Sequence, residues 1–160
     1  MAEGIAELRA EYKWGNLSRT GVDTDPIQQF LTWFKDAQEH EPYHPNAISL
    51  ATADENGMPS VRTVLVKGVE DRAFVVFTNY DSRKGRELSQ NPNGALLFWW
   101  GKLERQVRVE GKVGKISRHE SQAYFANRPR GSQIAALISP QSLEVSNRTE
   151  LEDIFARTSE

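Results

Sequence analysis

The chain has 160 residues, of which 38% are hydrophobic, 26% charged and 9% aromatic, with a formal net charge of −2. This is the profile expected of one soluble domain that buries a core without disulfide or metal staples. There is no cysteine, which excludes a disulfide scaffold, a zinc ribbon, an iron–sulfur cluster and a thiol nucleophile.

Mean hydropathy is −0.60, and no apolar run approaches the roughly 18 residues of a membrane span. Residues 1–8 carry two glutamates and no apolar stretch. No signal peptide is expected, and the cytoplasm is the expected location. Charge is distributed unevenly. Residues 1–59 hold four Lys/Arg against ten Asp/Glu, whereas residues 102–130 hold eight against three. A basic middle inside an acidic chain points to a local anion site rather than to a nucleic-acid coat, although on charge alone a solvated face is the simpler reading.

In chain order, Asp25-Pro26 reads as an N-cap followed by proline at the first helical position. Ile27, Phe30, Leu31, Phe34 and Ala37 follow at helical spacing and predict an amphipathic helix to about Gln38. Four short runs rich in Val, Leu, Ile, Phe, Thr and Trp, at 47–53, 61–67, 73–78 and 95–100, read as strands. Asp54-Glu55-Asn56-Gly57 is a turn between the first two, and residues 68–72 serve the next connection. Residues 105–116 alternate apolar with charged side chains, as in a strand with one wet face, bent at Gly111. A helix is predicted from Arg83 to about Gln90. Three later helices are expected: one behind the capping box Ser117–Glu120, one capped by Ser132 and running through Ile138, and one opened by Asn147 with Glu150. Closely spaced strands with few helices between them argue for an antiparallel sheet or small barrel with helices outside it. They do not argue for a βαβ nucleotide fold, and no dinucleotide or P-loop glycine motif is present.

Three places carry chemistry. Ser82-Arg83-Lys84-Gly85 opens a helix with two cations. Cations there oppose the macrodipole, and free N–H groups seek an anion, so the segment reads as a phosphate pocket or, more simply, as two exposed cations. Arg62 and Lys67 lie five residues apart on one strand, hence on opposite faces unless the strand bulges. A cation pointing inward needs a partner, which an anion supplies. Arg128-Pro129-Arg130-Gly131-Ser132 places arginines and a serine hydroxyl at a helix start, with Tyr124 one helical turn earlier. This is again phosphate-like chemistry, or else a charged loop beside a core aromatic. His40, His44 and His119 lack metal-ligand spacing, so no metal site is expected.

At these same residues the sequence resembles the pyridoxamine 5'-phosphate oxidase family. The resemblance runs through Arg9-Ala10-Glu11-Tyr12, Asp25-Pro26, Arg62-Thr63-Val64-Leu65-Val66-Lys67, Thr78-Asn79, Ser82-Arg83-Lys84, Leu103-Glu104-Arg105-Gln106-Val107-Arg108-Val109-Glu110-Gly111, Tyr124-Phe125, Arg128-Pro129-Arg130-Gly131-Ser132-Gln133-Ile134 and Ser139-Pro140-Gln141-Ser142. It implies a mainly β protein with peripheral helices, an FMN-binding split β-barrel. Residues 1–160 would form one domain with residues 1–24 as a mobile arm, working as a homodimer with FMN at the interface. It implies FMN contacts at Arg62, Thr63, Val64, Leu65, Lys67, Phe77, Thr78, Gln106, Gln141 and Ser142, with Arg83 and Lys84 on the FMN phosphate. Arg9, Tyr12, Lys67, Tyr124, Arg128 and Ser132 would meet the substrate, the last four gripping its phosphate.

The implied reaction is oxidation of pyridoxamine and pyridoxine 5'-phosphates to pyridoxal 5'-phosphate, with dioxygen as acceptor and hydrogen peroxide as product. Neither nucleic acid nor membrane is an expected partner. The family pattern continues with a Trp-Gly-Gly segment and an Arg-Leu-His-Asp-Arg segment, whose arginine and histidine lie over the substrate. These 160 residues do not contain them. The expectation is therefore a shortened form of a full oxidase. The alternatives are a short relative that binds FMN or pyridoxal phosphate without turnover, and a chain completed by another polypeptide.

Overall fold

The computed structural model describes Glu11, Lys13 and residues 17–159. Arg9 and Tyr12 lie outside the described residues. Five strands form one antiparallel sheet in the order β3-β2-β1-β4-β5, curled into half of a barrel. They are β1 (Ala47–Ala53), β2 (Pro59–Glu70), β3 (Ala73–Val76), β4 (Asn93–Trp100) and β5 (Arg105–Lys112). Around the sheet lie α1 (Pro26–His40), α2 (Arg83–Gln90), α3 (Arg118–Ala126), α4 (Arg130–Ile138) and α5 (Arg148–Ser159).

The central strand sets the two faces. Ile48, Leu50 and Thr52 of β1 are buried, and the alternate residues Ser49 and Ala51 point to the opposite side. The inner face is closed by α1, whose Asp25 cap accepts a hydrogen bond from Ile27 N at 2.8 Å. Phe30 and Ala37 of α1 pack into the cluster with Ile48, Leu50, Val66, Phe98 and Trp100. Phe30 is the hub: its ring centroid lies 4.8 Å from Phe74 and 4.9 Å from Phe98, within the range of favourable edge and tilted aromatic contacts.

Two turns follow their sequence chemistry. In the β1–β2 turn, Asp54 Oδ1 accepts from Asn56 N and Met58 N, and Gly57 takes φ +82° where a side chain would be strained. The β2–β3 connection is shorter than the five residues expected. It is only Asp71-Arg72, both with positive φ, the backbone of a tight hairpin of primed type. Arg72 Nη1 meets Asp25 Oδ2 at 2.8 Å and ties this tip to the cap of α1.

The expected strand at 105–116 ends at Lys112, and that at 73–78 ends at Val76. The capping box of α3 is present in both directions, and Glu150 N donates to Asn147 Oδ1 at 2.9 Å as α5 opens. The expected Ser132 cap is corrected. α4 opens three residues earlier, at Arg130 with Pro129 as N-cap, because proline already supplies a helix-compatible φ, and Ser132 N donates to Pro129 O inside the first turn.

Candidate functional site

The segment between β3 and α2 is built from short local bonds. Asn79 Oδ1 accepts from Asp81 N, and Ser82 caps α2 by accepting from Gly85 N while its hydroxyl donates to Asn79 O at 2.6 Å. Gly85 is required by a close approach. A Cβ there would sit 2.2 Å from the Tyr80 carbonyl oxygen and 2.8 Å from that of Asn79. The glycine lets the first turn of α2 lie against backbone, which turns Lys84 and Glu87, three residues apart, into the protein.

Glu87 is 4% exposed and collects four donors from three elements. Oε2 accepts from Thr52 Oγ1 of β1 at 2.5 Å and from Ser60 Oγ of β2 at 2.6 Å, and lies 3.3 Å from Arg62 Nη2. Oε1 accepts from Arg83 Nε at 2.8 Å. Burial by itself would raise the Glu87 pKa. The Ser60 and Thr52 hydroxyls and the Arg83 guanidinium outweigh it and lower the value to about 2. Arg62 is pinned at its other nitrogen too, donating from Nη1 to Leu50 O at 3.0 Å and to Thr52 Oγ1 at 2.6 Å, while Nη2 also reaches Ser60 Oγ.

Lys84 is 8% exposed. Its ammonium donates to Gln141 Oε1 at 2.6 Å and to Ser82 Oγ at 3.3 Å. Among the described residues no carboxylate pairs with it. Burial, and then the nearby Arg62 charge, push its pKa down. Gln141 arrives on a turn in which Leu143 N donates to Pro140 O and Ser142 takes φ +68°. Arg62, the adjacent Arg83 and Lys84, and the neutral Gln141 thus come together from three separate parts of the chain around three cations. Thr78, just before it, has the one buried side-chain polar atom among the described residues without a hydrogen-bond partner, its Oγ1.

A second group forms around α3 and α4. Phe77 and Tyr124 stack with ring centroids 3.5 Å apart and planes 5° from parallel. Gln133 Nε2 donates to the carbonyls of Ala126 and Arg128 and so fixes the α3–α4 corner that carries Arg128 and Ser132. Both of those residues are half-buried, and among the described residues Arg128 is in no ion pair.

The remaining sites lie on the sheet. The pairing of β2 with β3 shifts between Val66 and Gly68, so Lys67 is the extra residue of a β-bulge. Up to that bulge the strand alternates: Ser60, Arg62, Val64 and Val66 face inward, whereas Thr63, Leu65 and Lys67 face outward. Arg62 and Lys67 are therefore on opposite faces, and Arg62 is the inward cation. Its partner is Glu87. Gln106 is also on the outer face, opposite Trp99. Sequence reasoning did not single out Glu87, Thr52 or Ser60, and it named Gly85 only as part of the Ser82–Gly85 segment. The i,i+4 pairing of Arg83 with Glu87 was visible in the sequence, but the approach of β1 and β2 to that carboxylate was not.

The curled antiparallel half-barrel with its surrounding helices is shared with known proteins. The family model described as Pyridoxamine 5'-phosphate oxidase matches residues 34–160. The chain is 55% identical over 148 residues to the pyridoxine/pyridoxamine 5'-phosphate oxidase of Rubrobacter xylanophilus, covering 92% of this chain and 68% of that protein. It is also 55% identical to the protein of the same name in Cupriavidus necator, covering 92% and 70%. Among solved structures it is similar to PhzG from Burkholderia lata in complex with tetrahydrophenazine-1-carboxylic acid, with TM-score 0.83, 26% identity and coverage of 88% and 69%. It shares its fold with a pyridoxamine 5'-phosphate oxidase-related, FMN-binding protein from Nostoc punctiforme, with TM-score 0.64, 15% identity and coverage of 82% and 73%. The split-barrel fold therefore agrees with a sequence match across most of the chain, and the chain belongs to the pyridoxamine 5'-phosphate oxidase family.

Proposed function

We propose that the chain binds FMN and serves the oxidation of pyridoxamine and pyridoxine 5'-phosphates to pyridoxal 5'-phosphate in the cytoplasm, with dioxygen as acceptor and hydrogen peroxide as product. The observation that carries this reading is Lys84, a buried ammonium with no carboxylate partner among the described residues, set between Arg83 at the start of α2 and Arg62 of β2. Such a group is costly in a ligand-free pocket and is satisfied by an anion. The orphaned hydroxyl of Thr78, in the segment between β3 and α2, adds a donor for a polar ligand. The donor set thus fits the phosphate and polar chain of FMN.

When bound, the flavin supplies the two-electron chemistry. The protein's own residues bind and orient. Arg83 and Lys84, with Gln141 and Ser142, hold the flavin phosphate. Tyr124, Arg128 and Ser132 hold the substrate phosphate, with Lys67 between the two groups. Fixing both phosphates sets the distance between the reacting partners, the part of the barrier that positioning lowers. Thr63, Leu65, Lys67 and Gln106 all lie on the outer face of the sheet. There Val61 and Trp99 are exposed and a hollow of about 190 Å³ is lined by Ala51, Val61, Ala95 and Leu97. A second copy of the chain covering this apolar face would bring these residues into a shared site.

The test is an absorption spectrum of the purified chain after loading with FMN and desalting, followed by pyridoxine 5'-phosphate without oxygen. A retained flavin band that bleaches is the expected result. A retained band that stays unchanged leaves a flavin-binding protein without this half-reaction. Loss of the band removes the FMN reading.

A further inference from the structure

We propose that Glu87 is a positioning residue for the phosphate end of the flavin: one buried carboxylate that clamps Arg62 of β2 and Arg83 of α2 and so presents an ordered cationic pocket. This rests on the FMN reading above and names a residue that the reading does not use. The geometry is specific. Oε2 takes Thr52, Ser60 and Arg62, and Oε1 takes Arg83, so both carboxylate oxygens are committed to fixing neighbours from β1, β2 and α2. Thr52 is shared, donating to Glu87 and accepting from Arg62. Lys84 stays outside this network and points to Gln141.

The charge inventory supports the assignment. Three cations against one carboxylate leave an excess of two positive charges, which complements a phosphate monoester carrying about −1.5 to −2. A carboxylate near an anion site is unfavourable if charge alone matters. It is useful if it holds long, rotatable arginines in their binding geometry before the ligand arrives, because that ordering is then not lost from affinity. The two accounts predict opposite signs. Removing the Glu87 charge tightens phosphate binding if Glu87 is only a nearby negative charge, and weakens it if Glu87 positions the arginines.

The experiment compares wild type with Glu87→Gln by flavin fluorescence quenching, using FMN and riboflavin as probes. Wild type is expected to prefer FMN. Glu87→Gln is expected to weaken FMN roughly tenfold while riboflavin changes less than about twofold, the scale of losing charge-assisted hydrogen bonds that order a phosphate site. Equal or tighter FMN binding by the variant overturns the proposal. So does an equal loss for both flavins, which is the mark of a purely structural role. If wild type itself fails to prefer FMN over riboflavin, the phosphate-pocket reading falls first and takes this one with it. Thr52→Val keeps the carboxylate and its charge but removes the hydroxyl bridge to Arg62, and serves if Glu87→Gln does not fold. A loss of roughly threefold confined to FMN supports positioning, and an unchanged FMN-to-riboflavin ratio overturns it.

Discussion

The two regions proposed to bind phosphate are built in different ways. Around α2 the cations are held from behind: Glu87 is buried, Arg62 is pinned at both guanidinium nitrogens, and Lys84 is buried under Gln141. At the α3–α4 corner no buried carboxylate backs Arg128 among the described residues. α3 has no buried residue, α4 buries only Ile134, and Arg128 is placed by its backbone carbonyl through Gln133 rather than through its guanidinium. A pocket for a resident cofactor gains from being ordered before the ligand binds. A pocket for a substrate that must leave gains less, since excess ground-state affinity does not speed turnover. The contrast fits a flavin phosphate at the first region and a substrate phosphate at the second.

The strongest way to break this comparison is to remove the cations of the first region. Arg83→Ala with Lys84→Ala is expected to weaken FMN roughly a hundredfold, the scale of losing two charge-assisted contacts. Unchanged affinity in a flavin titration would place the phosphate elsewhere. Gly85→Ala tests the backbone that carries the pocket. Its Cβ has no room against the Tyr80 carbonyl, so a loss of about 3 kcal/mol is expected in urea unfolding, with weaker flavin binding alongside. A wild-type midpoint would mean that α2 shifts freely.

The second region separates from the first by Arg128→Ala, expected to raise the substrate KM about tenfold while flavin content stays at the wild-type level. The reverse pattern would swap the two phosphate assignments. Acid stability reads the clamp directly. Glu87 is lowered from 4.5 to about 2 in the folded chain, so its contribution is complete above pH 4.5 and disappears as the pH falls toward 2. Urea midpoints measured between pH 6 and pH 3 are expected to fall more steeply for wild type than for Glu87→Gln, and parallel profiles would contradict that. The smallest effect is expected far from both regions. Arg72→Gly relieves a positive φ of 65° but removes an exposed ion pair to Asp25, and its urea midpoint is expected to stay close to that of wild type.

Much of this arrangement was legible in the sequence wherever local rules govern. The Asp25-Pro26 cap, the Ser117–Glu120 capping box, the Asp54–Gly57 turn and the start of α2 at Arg83 depend on neighbours within four residues, and all are present in the structure. The boundary at Ser132 was misread because Pro129 competed with it as a helix starter. The hairpin at Asp71-Arg72 was hidden because neither residue is the glycine or asparagine that usually marks such a turn.

The family resemblance names candidate site residues and divides them between two phosphates, but it does not give the contacts among them. By itself the sequence determined the element types, the alternation that gives each strand a wet and a dry side, and the excess of cations in the middle of the chain, because periodicity, caps and charge are properties of short segments. Only the tertiary structure decided that Arg62 turns inward to Glu87 and Lys67 outward on a bulge, that Gln141 returns to Lys84, and that Phe77 stacks on Tyr124. Those pairings join residues from 25 to 57 positions apart on different elements. They depend on strand register and helix packing, which are set across the whole molecule rather than within any segment.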